Sequence, residues 1–586
     1  MQIFTNTYKL ITSNGKAKFF KLVLKLQFLS MFEALGIASI MPVLSYLADP
    51  QSLSLNSYNF VPQKLIHEIS TWTDAETLLI LSFISFTTLV FSAIYRSHAT
   101  HSINIYLEAL RETIASNIYS NLIKQPLSYH EKHNSNELLK SITSETDFLI
   151  GSSFRPILTM LASISTIFLI LLIIFFNDVY VATGTIGFLG GLYVVVFVLT
   201  KSKISTMGEQ LVEANSARFV NAKDGLASIT SIQLTNTHQI FEKNFKRSAH
   251  QFGQLEALFQ TLHTIPKFII ESIAIGSMLI TLSIIVMVNE HTIDGFLQNY
   301  FPLIGLYAIS AYKLQPALQA LYQGFSSYKY GGQIVKQSAL LLDLSNAEPT
   351  RGPEIENLDE IAILNVDLRV TTNGPSVLKD VSMVIKHGST VGIFGESGSG
   401  KSTLIKFILG MITPSRGNVE VSGQKLNSFR HQPWFNIVGY VPQEVFLLDK
   451  SILENVAFGV PPNSIDIAQV KRCCSLAQID QHIEDLPERY QTSVGDAGSR
   501  LSGGQRQRIG IARALYRNPS VLVFDEATSA LDESTERNIL EVIYNLADFK
   551  TVIMVSHKLE TLAKCNLLYE VRNASVTKVQ STRDDQ

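Results

Sequence analysis

A surplus of positive charge is missing from this 586-residue chain: 48 lysines and arginines stand against 50 aspartates and glutamates, for a formal net charge of -2. Proteins that hold nucleic acid usually carry a basic stripe against the phosphate backbone. None is visible here, so no nucleic-acid partner is expected. Cysteine is scarce too. The three cysteines are Cys473, Cys474 and Cys565, and the adjacent pair has neither metal-ligand nor disulfide spacing, which points to reduced thiols facing the cytosol. A cleavable signal peptide is not expected either. Residues 1–21 are polar and basic, and the first apolar run is too long for a signal core and lacks a clear cleavage site.

What the chain does have is apolar residues, 46% of the total and concentrated before residue 325. Six runs, at 22–48, 75–95, 152–176, 179–200, 266–288 and 295–325, are long enough to cross a hydrocarbon core of about 30 Å. Cytoplasmic loops collect lysine and arginine. The segment before the first run holds Lys9, Lys16, Lys18 and Lys21, whereas the turns at Asn177–Asp178 and Glu290–Asp294 hold no lysine or arginine. The connections after the second and fourth runs carry Arg111, Lys124, Lys132, Lys140, Lys201, Lys203, Arg218 and Lys223 among others. Both termini are therefore expected in the cytoplasm, in a multi-pass protein of a bacterial inner membrane. Ile103, Leu107, Leu110 and Ile114 recur at helical spacing in the first of these connections. The spans are thus predicted to continue as helices below the membrane and to reverse near Pro126–Lys140 and Asn221–Ile232.

Beyond residue 335 the pattern changes. The runs IAILNVDL, STVGIFG, NIVGYVPQ, SVLVFDEA and TVIMVSH alternate with helical stretches, as in an α/β domain. The reading divides the chain into a six-helix membrane domain at 1–335, a linker at 336–357 whose Asn346–Asn357 part is rich in Glu and Pro, and an α/β domain at 358–586.

Within that domain Gly395, Glu396, Ser397, Gly398, Ser399, Gly400, Lys401 and Ser402 follow an apolar strand and, with Thr403, open a helix. That is the setting of a P-loop. Its amides and helix N-terminus can grip phosphate oxygens, Lys401 can neutralise the outer phosphates, and the Ser402 hydroxyl can ligate Mg²⁺. A second strand ends in Asp525-Glu526, where Asp525 suits Mg²⁺ and Glu526 the polarisation of an attacking water. Between them Ser502, Gly503, Gly504 and Gln505 open an arginine-rich helix, with Ser502 as a natural N-cap and bare glycine amides beside it. Two phosphate-binding surfaces in one domain suggest that two copies meet face to face, each completing the other's pocket.

With these residues in place, the chain resembles ABC transporters of the exporter type. Gly395–Ser402 resembles the Walker A motif, Val521–Asp525 Walker B, and Leu501–Gln505 the signature motif. Gln443 in VPQE resembles the Q-loop glutamine, Ser529–Asp532 the D-loop, and His557 in VSHKLE the switch histidine. The resemblance implies a six-span α-helical domain joined to a P-loop ATPase domain and a homodimer. It also implies ATP and Mg²⁺ as ligands, with Ser402, Gln443 and Asp525 at the metal and Glu526, His557 and Gln443 in catalysis. The Tyr129–Thr143 segment is similar to the family's first coupling segment, and SIQLTNTHQIFEKNF to the stretch after the second.

One departure concerns adenine. The family's first strand usually carries an aromatic residue against the base, but the corresponding place falls near Arg369–Val370, which makes Arg369 the candidate to cover the ring.

For the cargo, FLSMFEALGIASIMPVLSYLADP and NSNELLKSITSE resemble the bacterial flippase of lipid-linked oligosaccharides used in protein N-glycosylation. Ionisable residues at membrane depth cost about 2.5–3.5 kcal/mol or more, so they tend to face a cavity or a partner. Glu33, Arg96, Glu271 and Lys313 are such residues, of which Glu33, Arg96 and Lys313 are the cavity candidates, and a basic cavity suits a lipid-linked pyrophosphate. A general exporter of hydrophobic drugs, lipids or peptides is the alternative, and a soluble ABC ATPase fits least. No cysteine-peptidase domain is read before the first span, which argues against a leader-cleaving peptide exporter.

If Arg369 covers adenine, Arg369→Ala will weaken ATP binding to the purified protein. Unchanged affinity would reject the role.

Overall fold

The computed structural model describes residues 2–48, 73–177, 179, 183, 187, 190–288, 293–344, 354–355, 358–369, 375–426, 429–527, 533–547 and 549–579. The chain forms two compact units, one of Met1–Lys124 with His133–Asn346 and one of Gln125–Lys132 with Ala347–Gln586.

The first unit is helical. Its first apolar run is carried by helices Lys16–Ala38 and Ile40–Ala48, which break at Ser39. The hydroxyl of Ser39 lies 2.8 Å from the Gly36 carbonyl and 2.9 Å from the Thr88 hydroxyl, so the break is bonded on both sides. The second run opens helix Asp74–Ile123, started by a capping box in which Thr73 and Glu76 satisfy each other's amides. Its 50 residues, at 1.5 Å each, make about 75 Å, more than twice the hydrocarbon thickness. Ile103, Leu107, Leu110, Ile114, Ile118 and Leu122, all buried, give the lower half one continuous apolar face. Asn121 donates to the carbonyls of Leu341 and Leu342 at 3.2 and 3.0 Å, tying the foot of this helix to helix Gly332–Leu342. That helix takes up residues 336–342, which local sequence pattern alone places in the linker. A chain that keeps an apolar stripe (Ile334, Val335 and Ala339 are buried) stays helical until the stripe ends.

Among the described residues three stretches, Lys16–Leu47, Asp74–Ile123 and Ser135–Phe176, are long and apolar enough to span a membrane. The second half of the run 179–200 opens helix Gly191–Ala227, and much of its first half lies outside the described residues. The runs 266–288 and 295–325 fall within helices His238–Val288 and Ile293–Tyr330. The first reversal comes at Gln125–Pro126 and leads into short helices Leu127–Lys132 and Ser135–Ile142. The second begins within the expected stretch, where helix Gly191–Ala227 ends, and extends four residues past it. The chain turns there through Ile229–Thr235 to a left-handed Asn236 with φ of 52°.

Just past the first reversal Lys140 and Glu145 form an ion pair at 2.9 Å, with side chains 4% and 3% exposed, and Lys140 also reaches the Ser216 hydroxyl at 2.5 Å. Each charge at such depth depends on the other.

The second unit holds two sheets. The six-stranded sheet has the order β10-β9-β3-β8-β7-β6, with β3 (Thr390–Phe394), β6 (Val438–Val441), β7 (Val521–Asp525), β8 (Thr551–Val555), β9 (Leu567–Arg572) and β10 (Ser575–Val579). β9, β3, β8, β7 and β6 run parallel and β10 antiparallel. Strands covered on both faces need near-continuous apolar runs, and Val391, Ile393, Val521, Leu522, Val523, Val552 and Ile553 have no exposure at all. The antiparallel sheet, in the order β2-β1-β4-β5, comprises β1 (Glu360–Arg369), β2 (Ser376–Lys386), β4 (Arg416–Val421) and β5 (Gln424–Leu426). All five strands read from sequence are present. Helix Leu127–Lys132 belongs to this unit, and its Glu131 pairs with Lys406 at 2.6 Å.

Removing one member of the buried pair should strand the other. Lys140→Met is expected to cost about 3–5 kcal/mol and to lower the thermal unfolding midpoint in detergent, whereas Lys140→Met/Glu145→Leu should recover most of the loss. A single variant as stable as the parent would contradict this.

Candidate nucleotide site

β3 delivers the chain into the loop Gly395–Gly400, and helix Lys401–Ile408 leaves it. Gly395 cannot be another residue: its φ is 155°, and a Cβ there would sit 2.3 Å from the Val571 carbonyl oxygen. Gly400, at φ of 111°, caps the helix in a left-handed conformation. The Lys401 side chain curls back over the loop and donates to the carbonyls of Gly395 and Glu396 at 2.8 and 2.9 Å. Burial pulls its pKa down, while the nearby Glu526 and Asp525 pull it up.

The parallel register sets β7 two strands from β3, with β8 between them, so that Asp525 and Glu526 emerge at the carboxyl end of the sheet. Ligands of open α/β sheets bind at that end. Burial pushes the Asp525 carboxyl up, and a hydrogen bond from Tyr440 opposes the shift. Glu526 takes a left-handed φ of 49°, a strained conformation for a side chain of this size. Its amide and both carboxylate oxygens are held. Its amide donates to the Val555 carbonyl at 3.0 Å, Gln443 Nε2 donates to Oε2 at 2.8 Å, and His557 Nε2 lies 2.7 Å from Oε1. The structure thus brings Lys401, Gln443, Asp525, Glu526 and His557 to one place.

Ser502 caps helix Gly503–Tyr516 through a capping box: the Gln505 amide donates to Ser502 Oγ at 3.2 Å, and the Ser502 amide to Gln505 Oε1 at 2.8 Å. The first-turn amides of Gly503 and Gly504 complete a positive helix end. Among the described residues, no hydrogen bond or ion pair joins Ser502–Gln505 to the P-loop.

Arg369 ends β1 opposite Ser376, with Nε 3.4 Å from the Ser376 hydroxyl. Val370 and the Ser529–Asp532 stretch lie outside the described residues.

Two residues that contact the carboxylate pair escaped the sequence reading. Tyr440 donates to Asp525 Oδ2 at 3.3 Å, and Gln507 donates to the Glu526 carbonyl at 3.5 Å. Their only signal was nearness to VPQ and to the signature motif, and neither implies a contact with the end of β7.

The residues suit Mg²⁺. Ser402, Asp525 and the amide oxygen of Gln443 are hard oxygen donors, and the Gln443 nitrogen is already committed to Glu526. Mg²⁺ is usually held by one or two carboxylates plus substrate phosphates, not by a protein cage.

In the membrane unit Arg96 and Glu33 come together at 3.7 Å, and Thr166 donates to Glu33 at 3.2 Å. The Arg96 side chain is 61% exposed and that of Glu33 only 12%. Lys313, on helix Ile293–Tyr330, enters no ion pair or hydrogen bond among the described residues, so it is not bonded to the Arg96–Glu33 pair.

The ABC transporter transmembrane-region model matches residues 22–304, and the ABC transporter model matches residues 378–529. The heterocyst differentiation ATP-binding protein HepA of Nostoc sp. is 29% identical over 482 residues, covering 79% of this chain and 75% of HepA. The leukotoxin translocation ATP-binding protein LktB of Mannheimia glucosida is 29% identical over 496 residues, 82% of this chain and 66% of LktB. A bacterial Atm1-family ABC exporter with ATP bound superposes with a TM-score of 0.76 at 22% identity, covering 97% of this chain and 96% of that one, a likeness of fold. The two models follow one another in the order of the two structural units. The chain is an exporter-type ABC transporter, in which a helical membrane domain is joined to an ATPase domain whose hydrolysis of ATP is coupled to transport.

Proposed function

We propose that two copies of this chain work as a homodimer, with each ATP bound between the P-loop of one copy and the signature helix of the other. The observation that carries this is the separation within one chain of two surfaces fit for phosphate, the loop Gly395–Lys401 and the amides at Ser502–Gln505. In this reading Lys401 leaves the carbonyls of Gly395 and Glu396 to meet the outer phosphates. Glu526, oriented by Gln443 and His557, takes the proton of the attacking water. The water oxygen bonds to the γ-phosphorus, the bond from that phosphorus to the β–γ bridging oxygen breaks, and ADP and phosphate leave. Mg²⁺ held by Ser402, Asp525 and Gln443 would neutralise charge developing on the phosphates. The closed dimer must bind ATP better than the open one, since otherwise nucleotide could not move the membrane domain. Closure then turns the cavity from the inside of a bacterial inner membrane to the outside by rigid-body rotation.

For the cargo we infer an amphipathic molecule with an anionic head, and a lipid-linked oligosaccharide is the specific candidate. Its support is Arg96, whose guanidinium is well exposed beside Glu33 where the apolar run of helix Asp74–Ile123 ends, together with the resemblance of the first span. A polypeptide cargo is the second reading. It is favoured by relatives named for toxin translocation, LktB among them.

Two measurements test these assignments. Glu526→Gln is expected to lower ATP turnover by about 100-fold or more while retaining nucleotide in a closed dimer; normal turnover would remove Glu526 from its role. A polyprenyl-pyrophosphate glycan should stimulate the ATPase of the reconstituted protein more than hydrophobic cations or peptides do, and Arg96→Ala should abolish that stimulation. Stimulation by peptide alone would replace the first cargo reading with the second.

A further inference from the structure

β6 sends two donors to β7. Gln443, just past the end of β6, holds Glu526, and Tyr440, within the strand, holds Asp525. The register explains why the second bond exists. Tyr440 is paired with Val523 across the parallel ladder, and Asp525, two residues further along β7, projects from the same face. Two residues advance a strand by about 6.6 Å, a gap that a tyrosine can span and a serine, threonine or asparagine cannot. Phenylalanine would reach but brings no donor. Tyr440 lies on the edge strand of the sheet, with 36% of its surface exposed, while its neighbours Gly439 and Val441 are buried. Its ring is therefore not needed to fill the core.

We propose that Tyr440 is a positioning residue for the nucleotide-associated metal: its phenol holds Oδ2 of Asp525 and fixes the rotation of the carboxylate. The two ties are separate. If Gln443 moves away from Glu526, the bond from Tyr440 still holds the Asp525 carboxylate in its rotation. This inference rests on the assignment of Asp525 to Mg²⁺ above. Outer-sphere partners of this kind commonly change metal affinity by about 10–100-fold when removed.

The test uses full-length protein in detergent, with Mn²⁺ in place of Mg²⁺ and a non-hydrolysable ATP analogue, and reads bound Mn²⁺ by electron paramagnetic resonance. Tyr440→Phe should raise the Mn²⁺ dissociation constant by about 10-fold or more, with analogue binding in EDTA and the thermal midpoint unchanged. Tyr440→Leu should raise it equally, because only the hydroxyl matters; a loss with Leu and none with Phe would assign the effect to ring packing and overturn the proposal. In an Asp525→Asn background Tyr440→Phe should have no further effect, and an effect that persists there would also overturn it. Parent-like Mn²⁺ affinity in Asp525→Asn alone would instead remove the metal assignment on which the proposal depends.

Discussion

Two carboxylates on consecutive residues, at the end of a strand buried on both faces, repel each other and resent the loss of water. The ATPase unit is arranged around that conflict. Asp525 ends β7, Glu526 takes a left-handed backbone conformation just past it, and each acid has its own set of donors. Lys401, held by the P-loop carbonyls, supplies positive charge near both. A site assembled in this way is primed for polyphosphate, because the lysine and the helix ends are positive and the acids call for a cation between themselves and the phosphates.

The sheet order makes the arrangement possible. β3 brings the P-loop, β7 the acids, β8 the approach to His557 and β6 the approach to Gln443, and these are neighbours in the order β3-β8-β7-β6. In sequence they are far apart. Parallel pairing aligns their carboxyl ends, so residues from four separate segments converge at one edge of the sheet. The buried valines and isoleucines of these strands leave little room for the register to slip, since a shift by one residue would turn the core face outward.

The membrane unit answers the same cost of buried charge by pairing. Lys140 and Glu145 neutralise each other out of water, and Glu33 is bonded by Thr166 beside Arg96. The two cases differ in exposure. The Lys140–Glu145 pair is closed, whereas the Arg96 guanidinium keeps most of its surface accessible. Only the second can offer charge to a ligand.

Much of this protein was legible from local pattern. Apolar runs long enough to span a bilayer, the asymmetry of lysine and arginine between their ends, and five short strands separated by helical stretches follow from periodicity and burial, which act over a few residues at a time. Gly395–Ser402 was readable for the same reason: glycine conformations and a helix N-terminus are local properties. Three things depended on the tertiary structure. The helix Gly332–Leu342 persists into the supposed linker because its apolar side meets a partner that sequence does not display. Glu33 and Arg96 come together while Lys313 takes no part in their pair, since the facing of separate helices follows from packing. Tyr440 reaches Asp525 because strand register, a relation between segments distant in sequence, puts them on one face. Local chemistry determined which groups the chain possesses, and long-range packing decided which of them meet.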